Sequence, residues 1–316
     1  MQVVVANRKA LAADIVGFEL VGRNEAGLPR FEPGAHIDVH VPGCGLIRQY
    51  SLWNDPAESF CYRIAVLKDA SSRGGSRKLH EILREGDILQ IGEPRNNFGL
   101  APAEEYILFA GGIGVTPLLS MAQYLKRTGR RFALHYFVRS RERAAFLDWI
   151  AGSSIAEHVR LHVDEEKRAG ALELADLLAP ASQDARIYVC GPLGFINWVR
   201  TSAADHHWDS DRIHIERFSS GPDSFMNDEA FDVEIASTGE VFQIPPGRSV
   251  ADVLAENGFF IPISCGAGIC GTCITGVLAG TPEHRDQVLS PDEHARAEVF
   301  TPCCSRSRGG RLVLDL

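Results

Sequence analysis

The sequence predicts a multidomain chain of mixed α+β and α/β class. It divides into a small β-barrel over 1–103, a doubly wound parallel sheet over 104–220, a linker over 221–230 and a β-rich unit over 231–316. Three observations carry this division. The first hundred residues are short β-branched runs punctuated by Gly, Pro and Asn. The next stretch alternates apolar strand-like runs with helical patterns of roughly 10–15 residues. Five of the eight cysteines then fall between positions 265 and 304.

In the first unit VVVANRKA, IVGFELVG, AHIDVHVP, YRIAVLKD and DILQIGEP read as strands, interrupted by a helix at SRKLHEIL (76–83). Closing such strands into a barrel removes exposed edges. The second unit begins with YILFA (106–110), then GGIGVTP and the helical PLLSMAQYLKRTG. RFALHYFV (131–138), a helix-like RERAAFLDWIAG, VRLHVD (159–164), a helix at ALELADLLA, RIYVC (186–190), a helical GPLGFINWVRTSAADHH and RIHIERF (212–218) follow. Strand–helix alternation of this kind predicts a parallel sheet covered on both faces. SSGPDSFMNDEA (219–230) is a polar break. Beyond it, FDVEIA and EVFQIP form an expected hairpin, RSVADVLAENG an amphipathic helix stopping at Gly258, and GVLAG and RLVLDL strands.

Composition narrows the function. With 45% apolar and 23% charged residues the chain is ordinary globular protein, which excludes disorder, collagen and coiled coil. No apolar run reaches 18 residues, so no membrane-spanning helix is expected. The N-terminal MQVVVANRKALAAD carries charges where a signal peptide needs an apolar core, so a cytoplasmic protein is expected. A net charge of −9 argues against nucleic acid as partner. The third unit holds 11 acidic residues against 6 arginines and no lysine.

Cys265, Cys270 and Cys273 stand as C-x4-C-x2-C, and the Cys303–Cys304 pair follows after 29 intervening residues. That is plant-type [2Fe–2S] spacing. Thiolates must converge on two irons from one tight loop, and Gly266, Gly268 and Gly271 let the loop close. Zinc usually takes two close cysteine pairs, which this spacing does not supply. Adjacent side chains in an extended segment point opposite ways, so one of Cys303 and Cys304 is expected to ligate.

Arg48-Gln49-Tyr50-Ser51 lies within the barrel, and Ser72-Arg73-Gly74-Gly75-Ser76 precedes its helix. Tyr50 can cover an isoalloxazine face, Ser51 can hydrogen-bond near N5, and Arg48 can pair with a phosphate. Gly74 and Gly75 before a helix start make an anion site, to which Arg73 and Ser76 add donors. Each alone also fits an ordinary strand or turn; both on one barrel upstream of a redox cluster point to a flavin. Gly111-Gly112-Ile113-Gly114-Val115-Thr116-Pro117 opens a helix where a parallel sheet binds nucleotides, although it is not G-x-G-x-x-G. Tyr188-Val189-Cys190-Gly191-Pro192 ends a later strand, and two such ends can flank a nicotinamide. Arg139 and Arg141, just past Val138, are the one sequence reason to suspect NADPH; they are read as solvated residues. His284-Arg285-Asp286 matches a kinase tripeptide without kinase context, and Cys44 and Cys61 are expected to be buried thiols.

Taken together, GAHIDVHVP, RQYSL, SRGGS, FAGGIGVTPLLSM, VCGP, SCGAGICGTC, HRD and CCSRSRGGRLVLDL resemble the phthalate dioxygenase reductase family, in the same order along essentially the whole chain. The resemblance implies an FMN-binding barrel, an NADH-binding domain and a C-terminal β-grasp ferredoxin domain. It implies Arg48, Tyr50 and Ser51 as the flavin motif and Gly74, Gly75 and Ser76 as the FMN-phosphate loop. Gly112, Thr116 and Cys190 match the nicotinamide side. Phe218 matches an aromatic closing over the flavin, with plain linker packing as the other reading. The distance from the C-terminus, together with the ferredoxin spacing, selects Cys303 as fourth iron ligand and leaves Cys304 a packing thiol. FMN is expected rather than FAD because no separate adenine-binding segment is evident between 62 and 104. The implied activity takes a hydride from NADH and hands electrons singly, through flavin and cluster, to a Rieske-type oxygenase, the reductase itself being a monomer. The alternatives are another acceptor, namely a P450, a diiron hydroxylase or a free ferredoxin, and, from a different class, a non-enzymatic iron–sulfur sensor.

Overall fold

The structure, a computed structural model, describes residues 1–23, 27–43, 46–69, 74–166, 174–178, 181–182, 184–218, 228–263, 266, 268, 271–286 and 288–316. The chain separates into two compact units, Met1–Arg217 and Phe218–Leu316.

The first unit opens with the expected barrel. Its strands are β1 (Gln2–Ala12), β2 (Ile15–Gly22), β3 (His36–His40), β4 (Ile47–Ser51), β5 (Cys61–Leu67) and β6 (Ile88–Gln90), with helix α1 (Gly75–Ile82) between β5 and β6. Four strands pair in the order β5-β2-β1-β6, and β3 and β4 form a separate hairpin. Bridges from Val39 to Ile91 and from His36 to Arg95 attach the hairpin to the chain leaving β6. On the other side the Trp53 N–H donates to the Arg63 carbonyl at 3.0 Å, just past β4, and brings the ends of the sheet together. Alternate side chains such as Val3, Val5, Phe18, Leu20, Ile37, Val39 and Ile64 fill the interior.

A parallel sheet follows. It comprises β7 (Glu105–Gly111), β8 (Arg131–Val138), β9 (Val159–Val163), β10 (Ala185–Cys190) and β11 (Ile213–Glu216), ordered β11-β10-β7-β8-β9. Between them run α2 (Val115–Arg127), α3 (Leu147–Ala151), α4 (Leu174–Leu178) and α5 (Leu193–Asp205). The continuous apolar run of β7 has a plain cause. Leu108 and Ala110 pack on the α2 side, and Ile107 and Phe109 on the α4–α5 side. The order reverses between β7 and β10, so their C-terminal ends form the crevice in which such sheets bind ligands.

One expected helix is broken. RERAAFLDWIAG is a short 3-10 turn at Arg141–Arg143, an extended Ala144, and then α3, because Phe146 takes a left-handed backbone (φ 68°). Phe146 packs at a tilt of 59° against Trp53 of the barrel, ring centroids 4.9 Å apart, and Trp149 meets the same ring at 5.2 Å. Barrel residues Ile15, Trp53, Ala65 and Phe98 thus share one core with α2 and β8, and the two sheets lie in one unit.

The second unit holds β12 (Phe231–Ile235), β13 (Val241–Ile244), α6 (Val250–Glu256), β14 (Thr275–Ala279), β15 (Pro282–Glu283), α7 (Pro291–Arg296), β16 (Val299–Phe300), β17 (Arg306–Ser307) and β18 (Arg311–Leu314). The mixed sheet runs β13-β12-β18-β14-β16, with β12 and β18 parallel and Val250, Val253 and Leu254 of α6 in its core. Ser249 caps α6 and Gly258 turns the chain out of it at φ 89°. Of the polar break over 219–230, residues 219–227 lie outside the described residues. Its last part is fixed to this unit. Asp228 pairs with Arg285 at 2.8 Å and with the buried Arg306 at 3.2 Å, and Arg306 also donates to the Glu229 carbonyl.

Candidate functional site

On the barrel, β4 carries the expected flavin residues. Ser51 is buried at its end, paired in register with His36, while Arg48 and Tyr50 sit partly exposed on the strand. Burial pushes the Tyr50 phenol well above its usual range, so it acts as a neutral ring. Gly74 has φ 91° and precedes α1, whose first-turn N–H groups have no intrahelical acceptor. A Cβ at Gly75 would lie 3.1 Å from Arg48 Nε, so the guanidinium lies directly over the helix start. Ser76 is buried there and its hydroxyl accepts from the Asp69 N–H at 3.3 Å. A guanidinium laid across a glycine-opened helix N-terminus fits the phosphate of a flavin mononucleotide. Arg73 lies outside the described residues.

The crevice between β7 and β10 is built by close approach of backbones. A Cβ on Gly114 would stand 2.4 Å from the Cys190 carbonyl oxygen, and one on Gly191 would stand 2.9 Å from Gly111 Cα. Gly112 has φ 55° and open space around it, which leaves room for a ligand at the turn. Thr116 is buried and donates to the Ile113 carbonyl at 3.1 Å, tying the turn to α2. Cys190 is fully buried, and its thiol points to the Glu216 carboxyl at 3.9 Å. Burial raises Glu216 to about 8 and pushes the Cys190 thiol up as well, so both are neutral at pH 7. Sequence reasoning missed Glu216. The available signal was an acid at the end of the apolar run IHIERF.

In the second unit Gly266, Gly268 and Gly271 have φ of 68°, 71° and 73°. Such a run of left-handed glycines curls a loop tightly. Cys273 and Cys303 are buried in one core with Val277 and Phe300. Cys265 and Cys270 lie outside the described residues. Thr301 Oγ1 meets the Cys304 sulfur at 3.2 Å, and a Cβ on Gly268 would meet that sulfur at 2.4 Å. Cys304 is therefore packed beneath the glycine loop among hydroxyls. The HRD tripeptide, set aside in the sequence, lies against the same loop. The buried Asp286 accepts from the Leu289 N–H at 2.9 Å and contacts His294 at 3.2 Å, and the His284 and His294 rings stack at 4.2 Å. Buried cysteines around a loop that only glycines can trace fit a [2Fe–2S] cluster. Phe218 is the first residue of this unit and is 42% exposed.

Residues 233–308 match the 2Fe-2S iron-sulfur cluster binding domain. The whole chain is 47% identical over 317 residues to the vanillate O-demethylase oxidoreductase of Pseudomonas sp. (strain HR199 / DSM 7063), covering 100% of both. It is 37% identical over 318 residues to the phthalate dioxygenase reductase of Burkholderia cepacia, covering 100% of this chain and 97% of that one. The chain belongs to the phthalate dioxygenase reductase family. A solved phthalate dioxygenase reductase, described as a modular structure for electron transfer from pyridine nucleotides to [2Fe–2S], superposes with a TM-score of 0.77 at 36% identity over 100% of this chain and 98% of that one. An intact type IV self-sufficient cytochrome P450 monooxygenase matches with a TM-score of 0.76 at 36% identity, covering 100% of this chain and 41% of that one. As a member of the phthalate dioxygenase reductase family the chain is an oxidoreductase of the oxygenase-reductase kind, using FMN, NADH and a [2Fe–2S] cluster. Among the described residues no helix is long and apolar enough to cross a membrane.

Proposed function

We propose that the chain is the NADH-dependent reductase component of a Rieske-type oxygenase acting on an aromatic substrate. The full-length 47% identity to a vanillate O-demethylase oxidoreductase carries this reading. FMN joins a two-electron donor to a one-electron cluster, and that is the chemistry it supplies when bound. The residues of the chain do the rest. Arg48, Gly74, Gly75 and Ser76, with Arg73, anchor the flavin phosphate; Tyr50 and Ser51 hold the ring; Gly112, Thr116 and Cys190 shape the nicotinamide crevice; and Phe218 covers the flavin. Cys265, Cys270, Cys273 and Cys303 ligate iron. The functional division is barrel 1–103, nucleotide domain 104–220, linker 221–230 and ferredoxin domain 231–316, in a cytoplasmic monomer. Reduced thiols for the cluster support that compartment.

The ferredoxin span is acidic and without lysine, so the oxygenase is expected to offer a basic patch near its acceptor centre. Turnover reconstituted with a Rieske-type oxygenase and NADH tests the reading, with inter-protein electron transfer slowing as salt rises and NADH oxidation in single turnover changing little. The similarity to the P450 fusion favours a second reading, a P450 acceptor. Turnover with a P450, and none with any Rieske-type oxygenase, would establish that reading instead.

A further inference from the structure

The histidine–aspartate cluster beside the cysteine loop has one member that its hydrogen bonds do not explain. Asp286 is held firmly. It accepts from the Leu289 N–H at 2.9 Å and meets His294 Nε2 at 3.2 Å, and the Ser305 hydroxyl lies 3.5 Å from its other oxygen. His284 is not held in this way. Its side chain is 9% exposed, both ring nitrogens are buried, and among the described residues neither makes a hydrogen bond. Asp286 Oδ1 stands 3.5 Å from its Nδ1. A neutral imidazole carries one N–H and one lone pair, so the ring forfeits a donor and an acceptor together. A bound ion or water is the ordinary reason for a buried group left in that state.

The three side chains are placed to share a cation. Each offers one donor atom, and these atoms all lie within 4.8 Å of one another. Around a tetrahedral zinc with bonds of about 2.0–2.2 Å, donors stand roughly 3.3–3.6 Å apart. The two histidine–aspartate separations, 3.5 and 3.2 Å, are already close to that. The imidazoles, face to face at 4.2 Å, need only turn inward. The Leu289 N–H and the Ser305 hydroxyl are the outer partners that orient a ligating carboxylate. The Arg285 guanidinium is turned away onto Asp228 and Glu283. Two opposite charges flank the cluster, Arg308 toward His284 and Glu293 toward Asp286, which leaves Asp286 as the net negative charge facing a cation. Two nitrogens and a carboxylate suit Zn²⁺ better than Ca²⁺ or Mg²⁺.

We propose that His284, Asp286 and His294 form a second metal centre, which takes Zn²⁺ with water as its fourth ligand. His284 and Asp286 follow β15 and His294 belongs to α7, so the ion joins two elements. A Cβ on Gly268 would stand 2.8 Å from Asp286 Cα, so the centre ties α7 to the segment that supports the cysteine loop. It uses no cysteine and does not depend on which protein accepts the electrons. A plain hydrogen-bonded network accounts for His294 and leaves the His284 ring without a reason.

The test is zinc binding by the holoprotein, under anaerobic conditions and with flavin and cluster in place. After incubation with Zn²⁺ and gel filtration, elemental analysis is expected to find one zinc per chain in the parent, with iron unchanged. His294→Ala, at a partly exposed position of α7, is expected to lose that zinc, and calorimetric titration to show binding weakened by about tenfold or more. Zn²⁺ is expected to raise the thermal midpoint of the parent and not that of the variant. The electron paramagnetic resonance signal of the reduced cluster reports that the variant is folded. His284→Gln, which alters the unbonded ring itself, is the second variant and is read in the same way. A parent protein that retains no zinc overturns the inference. So does equal zinc in the parent and both variants, which would place the ion on cysteines or on the surface.

Discussion

Cys190 and Glu216 stand opposite one another in register on the adjacent parallel strands β10 and β11, with sulfur and carboxyl oxygen 3.9 Å apart and both residues buried. Among the described residues that carboxyl has no ion-pair partner, and burial raises it to about 8, which keeps it protonated at pH 7. It lies at the C-terminal ends of the strands, beside the crevice between β7 and β10, and gives that side of the crevice an uncharged wall.

This pair makes stability depend on pH. An unfolded glutamate releases its proton near pH 4.3, whereas folded Glu216 keeps its proton up to about 8. Between those values the native state binds the extra proton, so its stability is greatest below the lower value and falls as pH rises to about 8. Glu216→Gln is expected to flatten that decline. Denaturant midpoints from pH 5 to 9 check it, and parallel profiles for parent and variant would show that Glu216 ionises freely.

Trp53 fastens the barrel to the nucleotide sheet. Its ring lies between Phe146 and Trp149, and its carbonyl accepts from Gln123 at 2.7 Å. Trp53→Ala is expected to cost about 3–5 kcal/mol in denaturant unfolding, as large aromatic deletions in a core do. A loss below about 1 kcal/mol would mean that the ring is only peripheral to that core.

Cys303 and Cys304 differ in surroundings although adjacent. The Cys304 sulfur lies with the hydroxyl of Thr301 and under Gly268. Iron per chain is expected to collapse in Cys303→Ala and to stay near the parent value in Cys304→Ala. The reverse result would reassign the fourth ligand.

Gly114 admits no side chain, because a Cβ would penetrate the Cys190 carbonyl. Gly114→Ala is expected to force the β7 and β10 turns apart and raise the KM for NADH while leaving flavin content unchanged. Gly112→Ala meets no atom, and its penalty is the left-handed backbone alone, about 1–2 kcal/mol. Equal KM effects in the two variants would contradict the close-approach argument.

Much of this was readable in the sequence for physical reasons. β7 is apolar on both faces and bounded by Glu104 and the glycine turn, so its run declares a buried parallel strand. The three glycines of the cysteine loop and the spacing around them announce the cluster before any coordinates. The segment 141–152 misleads because Ala144, Ala145, Phe146 and Ile150 are all buried, which imitates a helix face. The chain instead turns left-handed at Phe146 to reach Trp53, a partner more than ninety residues earlier. Glu216 escaped for the same reason. Its meaning comes from which strands lie side by side, and no local pattern encodes strand order.

The central claim is that one chain carries the whole route from NADH to a single-electron cluster. Anaerobic titration of the holoprotein with NADH, followed by flavin absorbance and electron paramagnetic resonance, tests it most directly. The account predicts bleaching of the flavin together with the signal of one reduced [2Fe–2S] cluster per chain, and retention of the bleaching with loss of that signal in Cys270→Ser. Flavin reduction without any cluster signal in the parent protein, after iron and sulfide reconstitution, would contradict it.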